Sequence, residues 1–191
     1  MPATSFEEDL DAAVEFHGHL CAGQIIGTRL CRLALEYFGI DDPHTYRDLI
    51  AVAETDRCLT DTLVSVAHCH PGRRRLKMYD FGKMAASFYD IQSGKAIRIA
   101  TKTTEQPIKG KDDVLEFFMK FSDEELFTME EIELPLTQYD LPGKSRVSIE
   151  CASCGEKVTD GRFIEDEFGN KLCQPCYFDE KYYRSIRTIA L

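Results

Sequence analysis

Eight cysteines and five histidines hold most of the chemistry available to this sequence. Four of the cysteines form one pattern. Cys151-Ala152-Ser153-Cys154 is followed, eighteen residues on, by Cys173-Gln174-Pro175-Cys176. Paired CxxC motifs at such a separation are the signature of a four-thiolate zinc site. Each pair must present two sulfurs at about 2.3 Å from one ion, and two intervening residues supply the tight turn this needs. Gly155, after the first pair, stands where the turn favours positive φ. Unliganded cysteines or two redox dithiols are the other readings, and the doubled spacing favours zinc. A closed four-thiolate site holds a fold together, so chemistry has to be sought elsewhere in the chain.

His17-Gly18-His19-Leu20-Cys21 is the second concentration of donors. In an extended backbone alternate side chains share one side, so two imidazoles and a thiol can converge. On a helix His17 and Cys21 would share a face and His19 would point away; Gly18 favours the extended form. A cysteine at a helix entrance is stabilised as thiolate by the macrodipole. Both nucleophile and metal ligand are therefore open to Cys21. Cys58 and Asp61, three apart, are neighbours on a helical face. His68-Cys69-His70 is a smaller third cluster. Taken singly these residues also suit structural roles, a buried thiol packing as a small hydrophobe.

The elements that must position these groups are legible from periodicity. Ser5-Phe6-Glu7-Glu8 is a capping box opening a helix to about Phe16. A second helix is predicted from about Cys21 to Phe38, stopping at Gly39, with Ile25, Ile26, Leu30, Leu33, Ala34 and Phe38 inward. Gly23 and Gly27, four apart, allow another backbone to approach that face closely. Ile50–Ala53 reads as a buried strand and Cys58–Ala67 as a helix. Strands are predicted at 75–79, 85–91 and 96–100, separated by turns at Gly82 and Gly94. Residues 111–121 read as an amphipathic helix, followed by a second capping box at Ser122-Asp123-Glu124-Glu125. Nine acids and one lysine lie between Asp112 and Glu133. A solvated helical face is the plain account of that stretch; a docking surface for a basic partner is the sharper one. Leu141-Pro142-Gly143-Lys144 marks a boundary between residues 1–144 and 145–191. Beyond it, a strand at 146–150, a cysteine knuckle and a helix opening at Pro175 and holding Tyr177, Phe178, Tyr182, Tyr183 and Ile186 make a treble-clef arrangement.

Length and composition suit one ordinary domain plus a small appendage. Of 191 residues, 43% are hydrophobic and 29% charged. Net charge is −10, of which 1–144 carry −9 and 145–191 carry −1. An acidic body argues against non-specific binding to nucleic acid or anionic membranes, which requires cationic surface. No apolar run spans a bilayer, and the acidic first residues have no secretory core. The expectation is a cytoplasmic protein whose cysteines are ligands or thiols rather than disulfides.

At four ordered blocks the sequence resembles the FmdE family. They are Phe16-His17-Gly18-His19-Leu20-Cys21-Ala22-Gly23, Gly27-Thr28-Arg29, Glu54-Thr55-Asp56-Arg57-Cys58-Leu59-Thr60-Asp61, and Tyr79-Asp80-Phe81-Gly82-Lys83-Met84-Ala85. Members of that family are described as a subunit of molybdenum or tungsten formylmethanofuran dehydrogenase, and many append a zinc domain. The resemblance implies an α+β, dimeric N-terminal domain with a metal-binding active site. His19, Cys21 and Cys58 would be ligands there, and His17 and Asp61 would orient a ligand or move protons. The second metal would be zinc, nickel or iron, and the partner a molybdenum or tungsten one-carbon oxidoreductase. Two positions depart from the family pattern: Ala22 stands where proline is usual, and His68-Cys69-His70 where a glycine-cysteine-threonine stretch is usual. Lys83 and Arg29 are cations that could neutralise an anionic substrate. Three classes result: a metal-dependent enzyme, an accessory or metal-delivery subunit, and, ranked last, a nucleic-acid binder using Lys181, Arg184 and Arg187 beside Tyr182 and Tyr183.

Overall fold

In a computed structural model that describes residues 2–102, 106–108 and 113–186, the first helix, α1, spans Phe6–His17. The capping box forms as written: Glu8 N–H donates to Ser5 Oγ at 3.1 Å and Ser5 N–H to Glu8 Oε2 at 2.8 Å. Three acids in the first turn complement the helix dipole. Gly18, at φ 94°, ends the helix in the left-handed region, its N–H donating to Val14 O. Helix α2 spans Ala22–Phe38 and closes at Gly39, φ 67°. Strand β1, Leu49–Ala53, is buried throughout, as an apolar run in a sheet interior should be. Helix α3, Leu59–Ser65, then leads through a 3-10 turn at Pro71–Arg73 into β2, Leu76–Met78.

β1 pairs in parallel with β2 and antiparallel with β3, Ala85–Asp90. β3 pairs with β4, Ala96–Thr101, and β4 with β5, Phe127–Ile132, giving the mixed order β2-β1-β3-β4-β5. Helices α1, α2 and α3 pack on one another, and α2 and α3 contact the sheet. Ile25, Leu30, Leu59, Leu63, Phe88 and Ile97 are fully buried between these layers. Each such side chain contributes about 1.5–3 kcal/mol of transfer free energy. Both glycines of the α2 face are needed for this packing. A Cβ on Gly27 would sit 2.4 Å from Thr62 Oγ1, and one on Gly23 only 2.6 Å from Cys58 Cβ.

The acidic stretch differs from expectation. Helix α4 is Val114–Met119 and α5, opened by the second capping box, is only Asp123–Leu126. Residues 111 and 112 lie outside those described. The chain beyond α5 is strand, not helical face: Phe127 is buried, and β5 pairs with β4 so that Arg98 stands opposite Glu130. β-Pairing wins because Phe127 can enter the core while the exposed acids blunt a sheet edge.

Arg29 is also committed structurally. Its Nη1 and Nη2 donate to Phe118 O and Phe121 O at 2.9 and 2.8 Å, and Nε to Asp123 Oδ1 at 2.8 Å. It therefore ties the end of α4 to the start of α5 and is not held out for a substrate.

The second unit begins at Leu136, ahead of the boundary expected after Lys144. Residues 136–144 belong with it because Tyr139 packs against Gly161 and Asp140 accepts from Arg162 at 2.7 Å. It holds two hairpins, β6 (Ser148–Glu150) with β7 (Lys157–Thr159) and β8 (Phe163–Glu165) with β9 (Lys171–Cys173). Helix α6 is a single turn, Gln174–Tyr177. It ends before Tyr182, Tyr183 and Ile186, which were expected within it, because Asp179 turns left-handed at φ 52° and Glu180 N–H closes onto Pro175 O. Arg187 lies outside the described residues.

Candidate metal centres

His17 is the last residue of α1, and Gly18 reverses the chain immediately after it. His19 and Leu20 run on to Cys21, the extended N-cap residue of α2 at φ −147° and ψ 168°. The left-handed glycine is what folds this short segment back on itself. One donor atom each from His17, His19 and Cys21 lies within 4.8 Å of the others, and the two rings stand 4.6 Å apart. Such a donor set, two imidazoles and a thiolate, could hold a borderline-soft transition metal.

Across the chain, α3 supplies the support. Asp61 Oδ2 lies 2.7 Å from His17 Nδ1. A carboxylate there fixes Nδ1 as the protonated nitrogen and leaves the Nε2 lone pair free, as it does behind metal-bound histidines. His17 Nε2 is buried and has no hydrogen-bond partner among the described residues. An orphaned, oriented imidazole nitrogen among further donors suits a metal ligand better than a satisfied core histidine.

Cys58 occupies the N-cap position of α3, and its thiol neighbours that of Cys21. Burial first, then Cys21, pushes the Cys58 thiol above its ordinary value. It stands beside the His17, His19 and Cys21 group rather than within the 4.8 Å set. The approach depends on Gly23, whose Cβ position is 3.3 Å from Cys58 Sγ and 3.6 Å from Cys21 Sγ. Gln24, fully buried, donates Nε2 to Cys58 O at 3.0 Å and so holds α2 against α3. Gln24 is not among the residues singled out from the sequence; a glutamine within an apolar helical face was the available signal.

Other named residues go elsewhere. Glu54 is paired with Arg98 at 2.6 and 2.9 Å, and this bidentate contact holds its carboxyl below the usual range. Lys83 lies 6.0 Å from the Phe81 ring. The third cluster is divided: Cys69 is fully buried against Leu49 O and Ala67 O, and burial pushes its thiol up to about 12. His68 lies against His44 instead, centroids 3.6 Å apart, and His70 stands 6.2 Å from His68.

In the second unit the four cysteines converge, their sulfurs all within 4.8 Å. Cys151 and Cys154 flank the turn between β6 and β7, where Gly155 takes φ 74°. Cys173 ends β9 and Cys176 lies in α6. Cys173 N–H donates to Cys151 Sγ at 3.3 Å. Backbone amides of Cys154 and Cys173 bring the Cys151 thiol down to about 6, while Cys154, although the Glu156 amide lowers it, is pushed up to about 12 by local desolvation and its neighbouring thiols. Amides directed at sulfur, on four convergent thiols, suit a tetrahedral thiolate site that could hold a metal.

Comparison with known proteins gives three results. The sequence model of the family described as "FmdE, Molybdenum formylmethanofuran dehydrogenase operon" matches residues 16–140. A probable S-adenosyl-L-methionine-binding protein of Archaeoglobus fulgidus is 28% identical over 122 residues, covering 62% of this chain and 33% of that protein. The chain thus spans about a third of the length of this curated relative. The crystal structure of a tungsten formylmethanofuran dehydrogenase FmdE-like protein from Syntrophus aciditrophicus superposes with a TM-score of 0.56 at 22% identity, covering 94% of this chain and 96% of that one. The likeness establishes a shared α+β fold.

Proposed function

This chain belongs to the FmdE family, and from that premise we propose that it is a two-metal protein serving molybdenum- or tungsten-dependent one-carbon oxidoreductase chemistry. Residues 145–191 are a treble-clef module with structural zinc on Cys151, Cys154, Cys173 and Cys176. In the N-terminal unit His17 Nε2, His19 and Cys21 hold a second ion (zinc, nickel or iron), with Cys58 as a fourth donor or as the thiol that neighbours Cys21. Asp61 orients His17. The observation carrying this reading is the buried, unpartnered Nε2 of His17, a residue that offers one donor atom within 4.8 Å of those of His19 and Cys21. A three-donor ion with an open position would act as a Lewis acid or activate water. Around it, Asp61 keeps the proton on His17 Nδ1, and Gly23 and Gln24 hold the two thiols in register.

The protein works as a cytoplasmic homodimer in this reading. Among the described residues no helix is long and apolar enough to cross a membrane. The acidic edge strand β5 favours a second reading, an accessory or metal-delivery subunit whose partner presents a basic surface to Glu130 and its neighbours. Elemental mass spectrometry of protein purified without chelator tests the proposal. Two metals per chain are expected in the wild type and one in His17→Ala and Cys21→Ser. Loss in Cys58→Ser as well would make Cys58 a ligand. One metal per chain in the wild type would remove the N-terminal centre.

A further inference from the structure

The cysteines of the chain divide by accessibility and by company. Cys31 and Cys69 are fully buried, and burial pushes both thiols up, so neither meets an oxidant as thiolate. Cys151, Cys154, Cys173 and Cys176 converge on one another in the second unit. Cys21 and Cys58 remain, both half-buried free thiols. Each occupies the N-cap of a helix, α2 or α3, and the Gln24 bond to Cys58 O at 3.0 Å ties those two helix starts together. The point where a Gly23 Cβ would lie is 3.3 Å from Cys58 Sγ and 3.6 Å from Cys21 Sγ. The missing side chain leaves both sulfurs facing one small space.

The two thiols are not equivalent. Cys21 shares the 4.8 Å donor set with His17 and His19, whereas Cys58 lies outside that set but beside Cys21. Packing does not account for Cys58. A cysteine serving only as a small hydrophobe is fully buried, as Cys31 and Cys69 are, and Cys58 is not. An accessible thiol held next to a second, resolving thiol is the arrangement that senses oxidants.

We propose that Cys21 and Cys58 close to a reversible disulfide on exposure to hydroperoxides, and that closure discharges the N-terminal ion. The discharge rests on the metal reading given above; the disulfide does not. The Cys21 sulfur attacks a peroxide oxygen, the O–O bond breaks, and Cys21 becomes a sulfenic acid as the other oxygen leaves as water. The Cys58 sulfur then attacks that of Cys21. The S–S bond forms, the S–O bond breaks, and the oxygen departs as a second water with the Cys58 proton. Two thiols thus lose two electrons and two protons, and the peroxide takes up both. A disulfide sulfur is no longer an anionic donor, so the ion keeps only His17 and His19 and is released. A dithiol reductant restores both thiols.

The test treats the full chain, purified anaerobically with its metal, with equimolar hydrogen peroxide and maps disulfides in unreduced digests. Wild type should yield a peptide pair crosslinked through Cys21 and Cys58 and separated again by dithiothreitol, with Cys31 and Cys69 still reduced. Cys58→Ala keeps the attacking thiol without the resolving one, so Cys21 should proceed to a sulfinic acid that dithiothreitol does not reverse. A chromogenic chelator should report about one more ion released per chain than from Cys21→Ser, in which only the second unit's site remains. No crosslink in the wild type, or a Cys21 in Cys58→Ala that stays reversibly oxidised, would overturn the pair. A crosslink formed in chains that carry no N-terminal ion would uphold the disulfide and overturn the metal reading with the discharge. A crosslink without release from chains that carry the ion would overturn the discharge alone.

Discussion

Gly23→Ala probes how closely α2 and α3 must approach for the N-terminal centre to exist. The new Cβ would stand 2.6 Å from Cys58 Cβ, closer than such atoms approach in proteins, and 3.3 Å from Cys58 Sγ. Ordinary carbon contacts need about 3.5–4.0 Å, so the start of α3 would have to retreat by about 1 Å. Rotating a side chain cannot relieve this, because the clashing atom is attached to backbone. Overpacking of this kind costs about 1–3 kcal/mol, and the severity here puts it near 3. Alanine regains about 1 kcal/mol over glycine within a helix. The net loss is about 2 kcal/mol, or roughly 6–10 °C in melting temperature for a unit of this size. Thermal melts should be run with metal analysis, since the same retreat separates Cys58 from Cys21. A second substitution isolates the cause. Cys58→Gly removes the clashing Cβ and should restore most of the loss, a coupling of about 2 kcal/mol in a double-mutant cycle. Cys58→Ala keeps that Cβ and should restore little. A Gly23→Ala protein as stable as wild type, or equal rescue by Cys58→Ala and Cys58→Gly, would refute the geometry.

Asp61→Asn should weaken N-terminal metal binding about 10–100-fold, since a neutral amide no longer holds the His17 proton on Nδ1; competition with a chromogenic chelator reads this directly. Cys176→Ser or strong chelation should unfold residues 145–191 while the first unit keeps its melting transition, because closed thiolate sites supply folding free energy; amide NMR spectra before and after chelation separate the two units. Arg98→Met leaves Glu54 buried without its partner and should cost about 3 kcal/mol near neutral pH, the lower end for breaking a buried ion pair. The pH dependence has a definite sign. Arg98 holds the folded Glu54 pKa below its unfolded value, so the stabilisation is complete above the ordinary carboxylate range and is lost as pH falls through the depressed folded value. Urea unfolding of wild type and variant should therefore converge on acidification, and a constant gap down to pH 3 would contradict this origin.

Much of the framework was legible in the sequence because it depends on neighbours along the chain. Both capping boxes, the left-handed stops at Gly18 and Gly39, and the buried run of β1 arise from local backbone demands that the residue types announce. The CxxC spacing likewise announced the four-thiol cluster, since each half is a single turn. Where competition between local and distant partners decided, reading the sequence fell short. Phe127–Ile132 resembled a continuation of the acidic helix until pairing with β4 drew it into the sheet. The last helix stopped at Tyr177 because a left-handed residue turned the chain, which spacing among tyrosines does not reveal.

The centre shows the same division. That His17, His19 and Cys21 belong together was readable within five residues of sequence. That Asp61 orients His17, that Gln24 anchors Cys58, and that His68 leaves Cys69 for His44 were decided only by folding. Each of these contacts joins residues 24 to 44 positions apart. Sequence pattern specifies which face of an element is apolar and where it stops. The distance between two faces, here set by glycines that admit α3 against α2, exists only once both are packed.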